Sequence, residues 1–210
     1  MTSEIVTKMR QEIVDRSDRF EEQTRGSKDE YNIYREHIQY VYKYVTKLSE
    51  GKAVDREVLE ISALLHDIAV TDMTLDRSRH NEYGADIAEQ LLRKNAYPEE
   101  KIQLVKKCIL NHSSRRAEYR TTEEERILVD ADGLSHFDSY KSLYSLAHKV
   151  MGLNNEESLK YIKDKLTRDY NELSDELKPL VNDIYSSVMK AESIREILIV
   201  NYQPENRPRD

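Results

Sequence analysis

Apolar residues recur every three or four positions along most of the chain, the spacing that gathers them on one side of an α-helix. The helices predicted for the first half of the chain cover residues 3–24, 31–48, 55–69, 81–94 and 98–112. The first of them is expected to end near Gly26, because glycine favours the position just after a helix.

Residue types that favour helix ends support several of these boundaries. Asp55 is suited to cap the third helix, because its carboxylate can accept a hydrogen bond from a free amide of the first turn. Pro98 is suited to the first position of the fifth helix, where no backbone donor is needed.

The second half of the chain is also predicted to be helical. Thr122 and Glu125 have the spacing of a capping box, which indicates a helix that begins there. Two or three long helices are expected from about 137 to 200, separated near Gly152 and Ser174. The last ten residues are expected to fray.

Several histidines fall within or beside the predicted helices. His37 shares an arc of about 100° with four apolar residues of the second helix, and His112 shares about 80° with three of the fifth. His80 comes just before the fourth helix. Taken singly, such residues are more often satisfied by the backbone or by solvent. His136 and His148 are interpreted in that way, because no motif supports them.

The composition is typical of one all-α domain. The 210 residues, with 38% hydrophobic and 35% charged side chains, suffice for one core and long solvated helical faces. Five glycines and four prolines are few for a β fold rich in turns. No repeat or linker divides the chain, so we expect a single domain over residues 1–210.

Charge, hydropathy and cysteine content limit the partners and the cellular location that we expect for the protein. The net charge of −7 argues against extended nucleic-acid binding. No apolar run approaches the roughly 18 residues of a membrane span, and the first 16 residues lack the apolar segment of a secretory signal. Cys108 is the single cysteine and can form no internal disulfide, so a cytoplasmic location is expected.

The segment 64–70, LLHDIAV, places a histidine and an aspartate side by side after an apolar run. Burying such a pair costs free energy unless a partner satisfies it. One interpretation is a core histidine bonded to the backbone. The other is a metal ion, which binds neutral imidazole and carboxylate.

The rest of the chain favours the metal. Histidines and carboxylates that could share one interior recur in the order His37, His66, Asp67, His80, His112 and the DAD segment 130–132. Together they fit a nitrogen and oxygen site for Mn, Fe, Co, Ni or Zn. Asp130 and Asp132 lie about 160° apart on their helix, and each shares a face with apolar residues. Helical geometry therefore does not choose between them.

In order and spacing, these segments resemble the HD-domain superfamily of metal-dependent phosphohydrolases, in particular its small bacterial members. The matching segments are REHIQYVYKYV, ALLHDIA, RHNEYGADIAEQLL, VKKCILNHSS and ERILVDADGLSHFD, which cover about residues 30–140. The resemblance implies a single-domain, all-α helical bundle of the HD type, with trailing helices over about 141–200.

The resemblance also implies roles for the matching residues. The implied ligands of the principal metal are His37, His66, Asp67 and Asp132. It leaves Asp130 as a supporting or capping group. Asp67 would also orient the nucleophilic water. His80 and His112 would hold a second metal or contact phosphate, and with Asp67 they are the candidate catalytic residues.

The residues around these two histidines bear on that expectation. His112 ends an apolar stripe and points inward. Gly84 lies one turn after His80, where a missing side chain would leave room beside the imidazole. The alternative is a pair of helix-end histidines bonded to backbone carbonyls.

Basic residues cluster around His112 in an otherwise acidic chain. They are Lys106, Lys107, Arg115, Arg116 and Arg120. We take Arg115 and Arg116, with Arg79 beside His80, as candidates that bind the substrate phosphate, because guanidinium groups pair well with phosphoryl oxygens. The alternative is that these charges lie on solvated helices and loops.

The chain departs from the HD pattern in some places. Many relatives carry His-Asp or Trp just before the first histidine, where this chain has YNIYRE. Tyr40 occupies the position where relatives often have a phosphate-binding arginine. A GYP triplet and a doubled histidine at 112 are both missing, which argues against cyclic-di-GMP phosphodiesterase activity.

The leading functional prediction is a phosphohydrolase that uses a divalent metal (Mn, Fe, Co, Ni, Zn or Mg) to activate water against a small phosphorylated substrate, most simply a nucleotide. The alternatives are a di-iron oxygenase of the same superfamily and a non-catalytic HD regulatory module. The intact ligand set argues against the module. No membrane partner is expected, and a homodimer is left open.

Overall fold

The computed structural model describes residues 3–24 and 31–199. Within these residues the chain forms helices joined by turns and contains no β-strand, which confirms the all-α prediction. None of the described helices is both long and apolar enough to cross a membrane. Gly26 and the tail from 201 to 210, for which we predicted a helix end and fraying, lie outside the described residues.

Ten α-helices follow one another in this part of the chain. They are α1 (Glu4–Thr24), α2 (Gln39–Leu48), α3 (Arg56–Leu65), α4 (His80–Lys94), α5 (Glu99–Asn111), α6 (Glu123–Asp138), α7 (Tyr140–Ser145), α8 (Asn155–Glu172), α9 (Asn182–Lys190) and α10 (Ile194–Ile199). A π-helical stretch, Tyr34–Ile38, runs directly into α2, and a second, Leu146–Val150, continues α7.

The predicted caps of α3 and α6 are present. The carboxylate of Asp55 accepts a hydrogen bond from the amide of Val58 at 3.1 Å. Thr122 and Glu125 form the expected capping box. Pro98 differs from the prediction, because its ψ of 132° is not helical and α5 begins one residue later.

The third helix is shorter than predicted. It ends at Leu65 rather than at residue 69, because Asp67 (φ −109°, ψ 17°) leaves the helical conformation and a 3-10 turn, Ile68–Thr71, follows. Seven of the ten residues of α3 are buried, so the chain is still in the interior where the helix ends. His66 and Asp67 therefore lie at a buried helix end, and not within a helix.

The trailing region contains more breaks than predicted. The expected breaks near Gly152 (φ 72°) and Ser174 are present. Two further breaks occur, because Ser139 leaves the helical conformation and Ala191 is extended (ψ 133°). Shorter helices therefore surround α8, where we expected two or three long ones.

The apolar core consists of two clusters that meet at α3. One cluster is built mainly from α1, α3, α4 and α5, and the other from α2, α6, α8 and the helices that follow. Val58 and Ile61 belong to the first cluster, whereas Leu59 and Ala63 belong to the second. Fully burying one such aliphatic side chain contributes on the order of 1.5–3 kcal/mol. This packing holds the polar ends of α3 and α5 inside the molecule.

Candidate metal centre

Two histidines and an aspartate from distant parts of the chain meet in the interior. The Nε2 atom of His37, in the π-helical stretch, lies 3.0 Å from Nε2 of His66 at the end of α3. It also lies 3.1 Å from an Oδ atom of Asp132, in the middle of α6. The side chain of His66 is fully buried. These three residues are called the inner group.

The other ring nitrogens of the inner group are held by hydrogen bonds. Nδ1 of His66 lies 2.9 Å from the carbonyl oxygen of Ala63, which can only accept, so Nδ1 carries the proton. Ser135 donates to the carbonyl of Asp132, which leaves its hydroxyl oxygen to accept from Nδ1 of His37 at 3.1 Å. Both Nε2 atoms are therefore unprotonated in the neutral imidazoles and face each other.

A second set of donors, the outer group, comprises Asp67, His80 and His112. The Nε2 atoms of His80 and His112 lie 3.3 Å apart, and those atoms lie 3.6 and 3.7 Å from Oδ1 of Asp67. Their Nδ1 atoms bond to the backbone carbonyls of Arg77 at 2.9 Å and Ile109 at 2.6 Å. These bonds are the ones that our alternative interpretation foresaw, but they leave both Nε2 atoms free to bind a ligand.

Asp67 joins the two groups. While Oδ1 faces the outer histidines, Oδ2 lies 3.7 Å from Nε2 of both His37 and His66. The non-helical backbone at Asp67 makes this position available, because a further helical turn would carry the carboxylate away from His66. One carboxylate thus faces the Nε2 atoms of all four histidines of the two groups.

The donor set fits a divalent metal. Two atoms that each lie about 2.0–2.1 Å from one ion in tetrahedral geometry are about 3.3 Å apart, close to the separations within each group. Unprotonated Nε2 atoms at 3.0 Å repel one another unless a cation or a proton lies between them. Within the described residues, the two groups that could hold an ion are the inner and outer groups.

The electrostatic environment favours the ligand forms of these side chains. Burial lowers the pKa of His66, and burial together with the neighbouring His66 lowers the pKa of His112 to about 4. Burial alone would raise the pKa of Asp67, but the surrounding imidazoles, His66 foremost, bring it below its usual range. Neutral imidazoles and ionised carboxylates are the forms that bind metals.

The structure also separates the two aspartates that helical geometry left open. Asp132 faces His37 and His66, as the resemblance implied. Asp130 instead accepts hydrogen bonds from the amide and the hydroxyl of Ser174, at 2.8 and 2.6 Å. It therefore fastens α6 to the segment that follows α8.

Gly84 has a different function from the one we predicted. A Cβ atom there would lie 3.2 Å from the carbonyl oxygen of His66 and 3.4 Å from Cγ2 of Ile109. The glycine therefore lets α4 approach the end of α3 and does not make room beside the imidazole of His80. The close approach brings His80, the first residue of α4, to the outer group.

A cleft of about 560 Å³ opens onto both groups. Five of the six donor residues line it, while His66 lies behind them. Apolar side chains, among them Leu143 and Leu146, share the lining with Tyr31 and Tyr161. Burial, and next the charge of Asp67, raise the pKa of Tyr31, so its hydroxyl remains a hydrogen-bond donor.

One of the three arginines predicted to bind phosphate lines this cleft. Arg115 does so, in the loop after α5. Arg79 is exposed and its Nε donates to Glu82 at 2.7 Å, outside the cleft. Arg116 donates to the side-chain oxygen of Asn111 at 2.9 Å. Both guanidinium groups are thus engaged outside the cleft in this structure, so a role for Arg79 and Arg116 in phosphate binding stays a prediction.

The remaining members of the basic cluster, Lys106, Lys107 and Arg120, do not line the cleft. Lys106 pairs with Glu89, and Lys107 lies 3.5 Å from Glu125. Arg120 bonds to backbone carbonyls at the end of α5. Arg120 thus contacts His112 through the backbone carbonyl of that residue and also pairs with Glu172. Lys106 and Lys107 are held by carboxylates of other helices.

Sequence reasoning missed several residues that line the cleft. His136 lies one helical turn after Asp132, stacks on His37 with ring centroids 4.6 Å apart, and places Nδ1 3.2 Å from Asp169. Lys165 bonds to the other oxygen of Asp169 at 3.0 Å. The four-residue spacing from Asp132 could have identified His136. His148, in contrast, is exposed and bonds to the carbonyl of Leu153. This agrees with our interpretation of His148 as a histidine that is satisfied by the backbone or by solvent.

Two comparisons with known proteins bear on this geometry. Residues 34–136 match the family model of the HD domain. Over 93 residues the chain is 25% identical to an uncharacterized protein of Clostridium beijerinckii, a match that covers 41% of this chain and 59% of the relative. The chain thus spans less than two thirds of that relative's length. The HD match includes both donor groups, whereas Lys165 and Arg168 on α8 lie beyond it.

Proposed function

Because the chain carries an HD domain over residues 34–136, we propose that this protein is a divalent-metal-dependent phosphohydrolase that acts on a nucleotide or a similar small phosphate compound. The observation that carries the proposal is the pair of donor groups joined by Asp67 below an arginine-lined cleft. A divalent metal bound there would act as a Lewis acid that activates water and polarises the phosphoryl group.

The inner group would hold the principal metal. His37 and His66 would bind through Nε2, since their Nδ1 atoms are engaged by Ser135 and Ala63. Asp132 would bind through the oxygen that lies 3.1 Å from His37. Hydrogen bonds to the outer nitrogens fix the ring orientation and make the facing nitrogens better donors.

Asp67 and the outer histidines would act on the reacting atoms. Asp67, which the imidazoles keep ionised, would accept a hydrogen bond from the attacking water and direct its lone pair toward phosphorus. His80 and His112 would either hold a second metal or contact a phosphoryl oxygen. A second metal would place positive charge where negative charge develops in the transition state, and an imidazole that contacts a phosphoryl oxygen would do so once it takes up a proton.

A di-iron oxygenase of the same superfamily is the second candidate, because Asp67 faces two adjacent groups that could each hold an ion. The arginines of the cleft favour a phosphorylated substrate over the neutral substrate that an oxygenase could accept. The metal identity, measured together with its redox spectroscopy, would distinguish the two candidates.

A metal-dependent phosphatase screen tests the proposal. Protein stripped with a chelator is reloaded with Mn, Fe, Co, Ni, Zn or Mg and offered nucleotides and simple phosphate esters. We expect at least one metal to restore the release of inorganic phosphate or pyrophosphate. Equal background rates with every metal, from protein that retains bound metal, would contradict the proposal.

A further inference from the structure

The acidic residues that line the cleft away from the donor groups already have partners. Asp169 bonds to Lys165 at 3.0 Å, and Glu172 bonds to Arg120 at 2.9 Å. Glu36 accepts a hydrogen bond from the hydroxyl of Ser142. These carboxylates are therefore less available to neutralise further cations in the cleft.

Three arginines line the same cleft without such partners. Arg77 precedes α4, Arg115 follows α5 and Arg168 lies on α8, so three separate segments contribute them. Within the described residues, none of the three has a carboxylate partner within 4.0 Å. All three are exposed, which places them at the mouth of the cleft, while the donor groups lie deeper.

Neighbouring residues show that this arrangement is not a general property of the surface. Arg79, two positions after Arg77, pairs with Glu82. Arg116, next to Arg115, bonds to Asn111 and lies over the ring of Tyr119. In both pairs of neighbours, the arginine that faces the cleft makes no side-chain hydrogen bond or ion pair with another described residue, although the guanidinium of Arg77 lies 6.0 Å from the centroid of the Phe20 ring.

We propose that Arg77, Arg115 and Arg168 bind a second phosphoryl group of the substrate, so that the protein selects compounds with at least two phosphoryl groups over monophosphates. The inference rests on the proposed phosphohydrolase function. One phosphoryl group would lie at the donor groups, whose carboxylates a divalent metal offsets. The three guanidinium groups at the mouth are then available to pair with a further anion, and their planar donors suit phosphoryl oxygens.

The second phosphoryl group could be joined to the first by an anhydride or could lie elsewhere on the molecule. Calorimetric titration of the full-length, metal-loaded protein distinguishes these sources. The probes are AMP, the α,β-methylene analogue of ADP, and adenosine 3′,5′-bisphosphate. We expect at least one of the two doubly phosphorylated probes to bind about tenfold tighter than AMP. Equal affinities for all three would overturn the inference.

The variant that tests the residues combines Arg77→Gln, Arg115→Gln and Arg168→Gln. It should lose the preference for the doubly phosphorylated probe, because its affinity for that probe should fall about tenfold and its affinity for AMP should fall by less. The matched control combines Arg93→Gln, Arg126→Gln and Arg195→Gln, which removes the same charge from exposed arginines outside the cleft.

The control should keep the preference, and thermal unfolding should show that both triple variants are folded. An equal loss of preference in the control would assign the effect to net charge and overturn the inference.

Failure of the proposed function has a different signature. A protein that hydrolyses no phosphate compound with any metal, yet keeps the arginine-dependent preference in binding, refutes the function and not the binding residues.

Discussion

The inner and outer groups use the same residue types but differ in access to solvent at one histidine, His80, since His112 of the outer group is only 5% exposed. In the inner group, the side chain of His66 is fully buried and that of His37 is 7% exposed, whereas in the outer group His80 is 28% exposed. Helix packing surrounds the inner donors, while His80 stands at the start of α4 beside the cleft. We therefore expect the inner group to retain the metal and the outer group to contact the substrate.

The largest effect is expected for Asp67→Ala, because this carboxylate serves both groups. We expect hydrolysis to fall by about a thousandfold or more and bound metal to be depleted, measured by steady-state assays and mass spectrometric metal analysis. The isosteric Asp67→Asn controls for packing. If Asp67→Ala instead lowers thermal stability while metal content stays unchanged, His66 and Asp67 are only a buried polar pair.

The next prediction concerns the outer histidines. His80→Ala and His112→Ala should each lower turnover about a hundredfold on a confirmed substrate, a loss typical of a residue that contacts the reacting atoms. Folding, followed by circular dichroism, should be preserved, and the inner group should retain metal. His148→Ala, at an exposed histidine outside the cleft, is the matched control. Turnover near that of the wild type would show that His80 and His112 belong to the scaffold.

Asp130→Ala and Asp132→Ala should separate structural support from metal binding within one helix. Asp130→Ala removes two hydrogen bonds to Ser174 and should lower the free energy of unfolding by about 2–3 kcal/mol in urea titrations, while the folded fraction keeps its metal. Asp132→Ala should deplete metal. Similar metal losses in both variants would refute the distinction that we draw between the two aspartates.

The smallest effect is expected for Gly84→Ala, which alters how α4 packs against α3. The added methyl group would lie 3.2 Å from the carbonyl oxygen of His66, so we expect a loss of about 1 kcal/mol and a severalfold decrease in turnover as His80 shifts. Metal in the inner group should be unaffected. Unchanged turnover would show that the position of α4 does not control the outer group.

Local patterns in the sequence were sufficient to predict most of the helices and the order of the metal-binding donor residues along the chain. Periodicity predicted α1, α4 and α5 to within a few residues, because each buries one face, and it predicted α2 together with the π-helical stretch before it. The start of α6 was predicted from its capping box. The capping preferences of Asp55 and Thr122 marked helix starts for reasons contained in a single turn of backbone. The end of α3 was predicted too late, because apolar periodicity continues through a 3-10 turn that packs inward.

Tertiary structure alone decided which charged residues reach the cleft. Arg115 and Arg116 are adjacent in sequence, yet only the packing of the loop after α5 turns one toward the cleft and the other toward Asn111. Lys165 and Asp169 lie about thirty residues beyond Asp132, and the docking of α8 on α6 brings them to it. Helical periodicity tells which face of a helix is buried, but it does not tell which distant residue that face will meet.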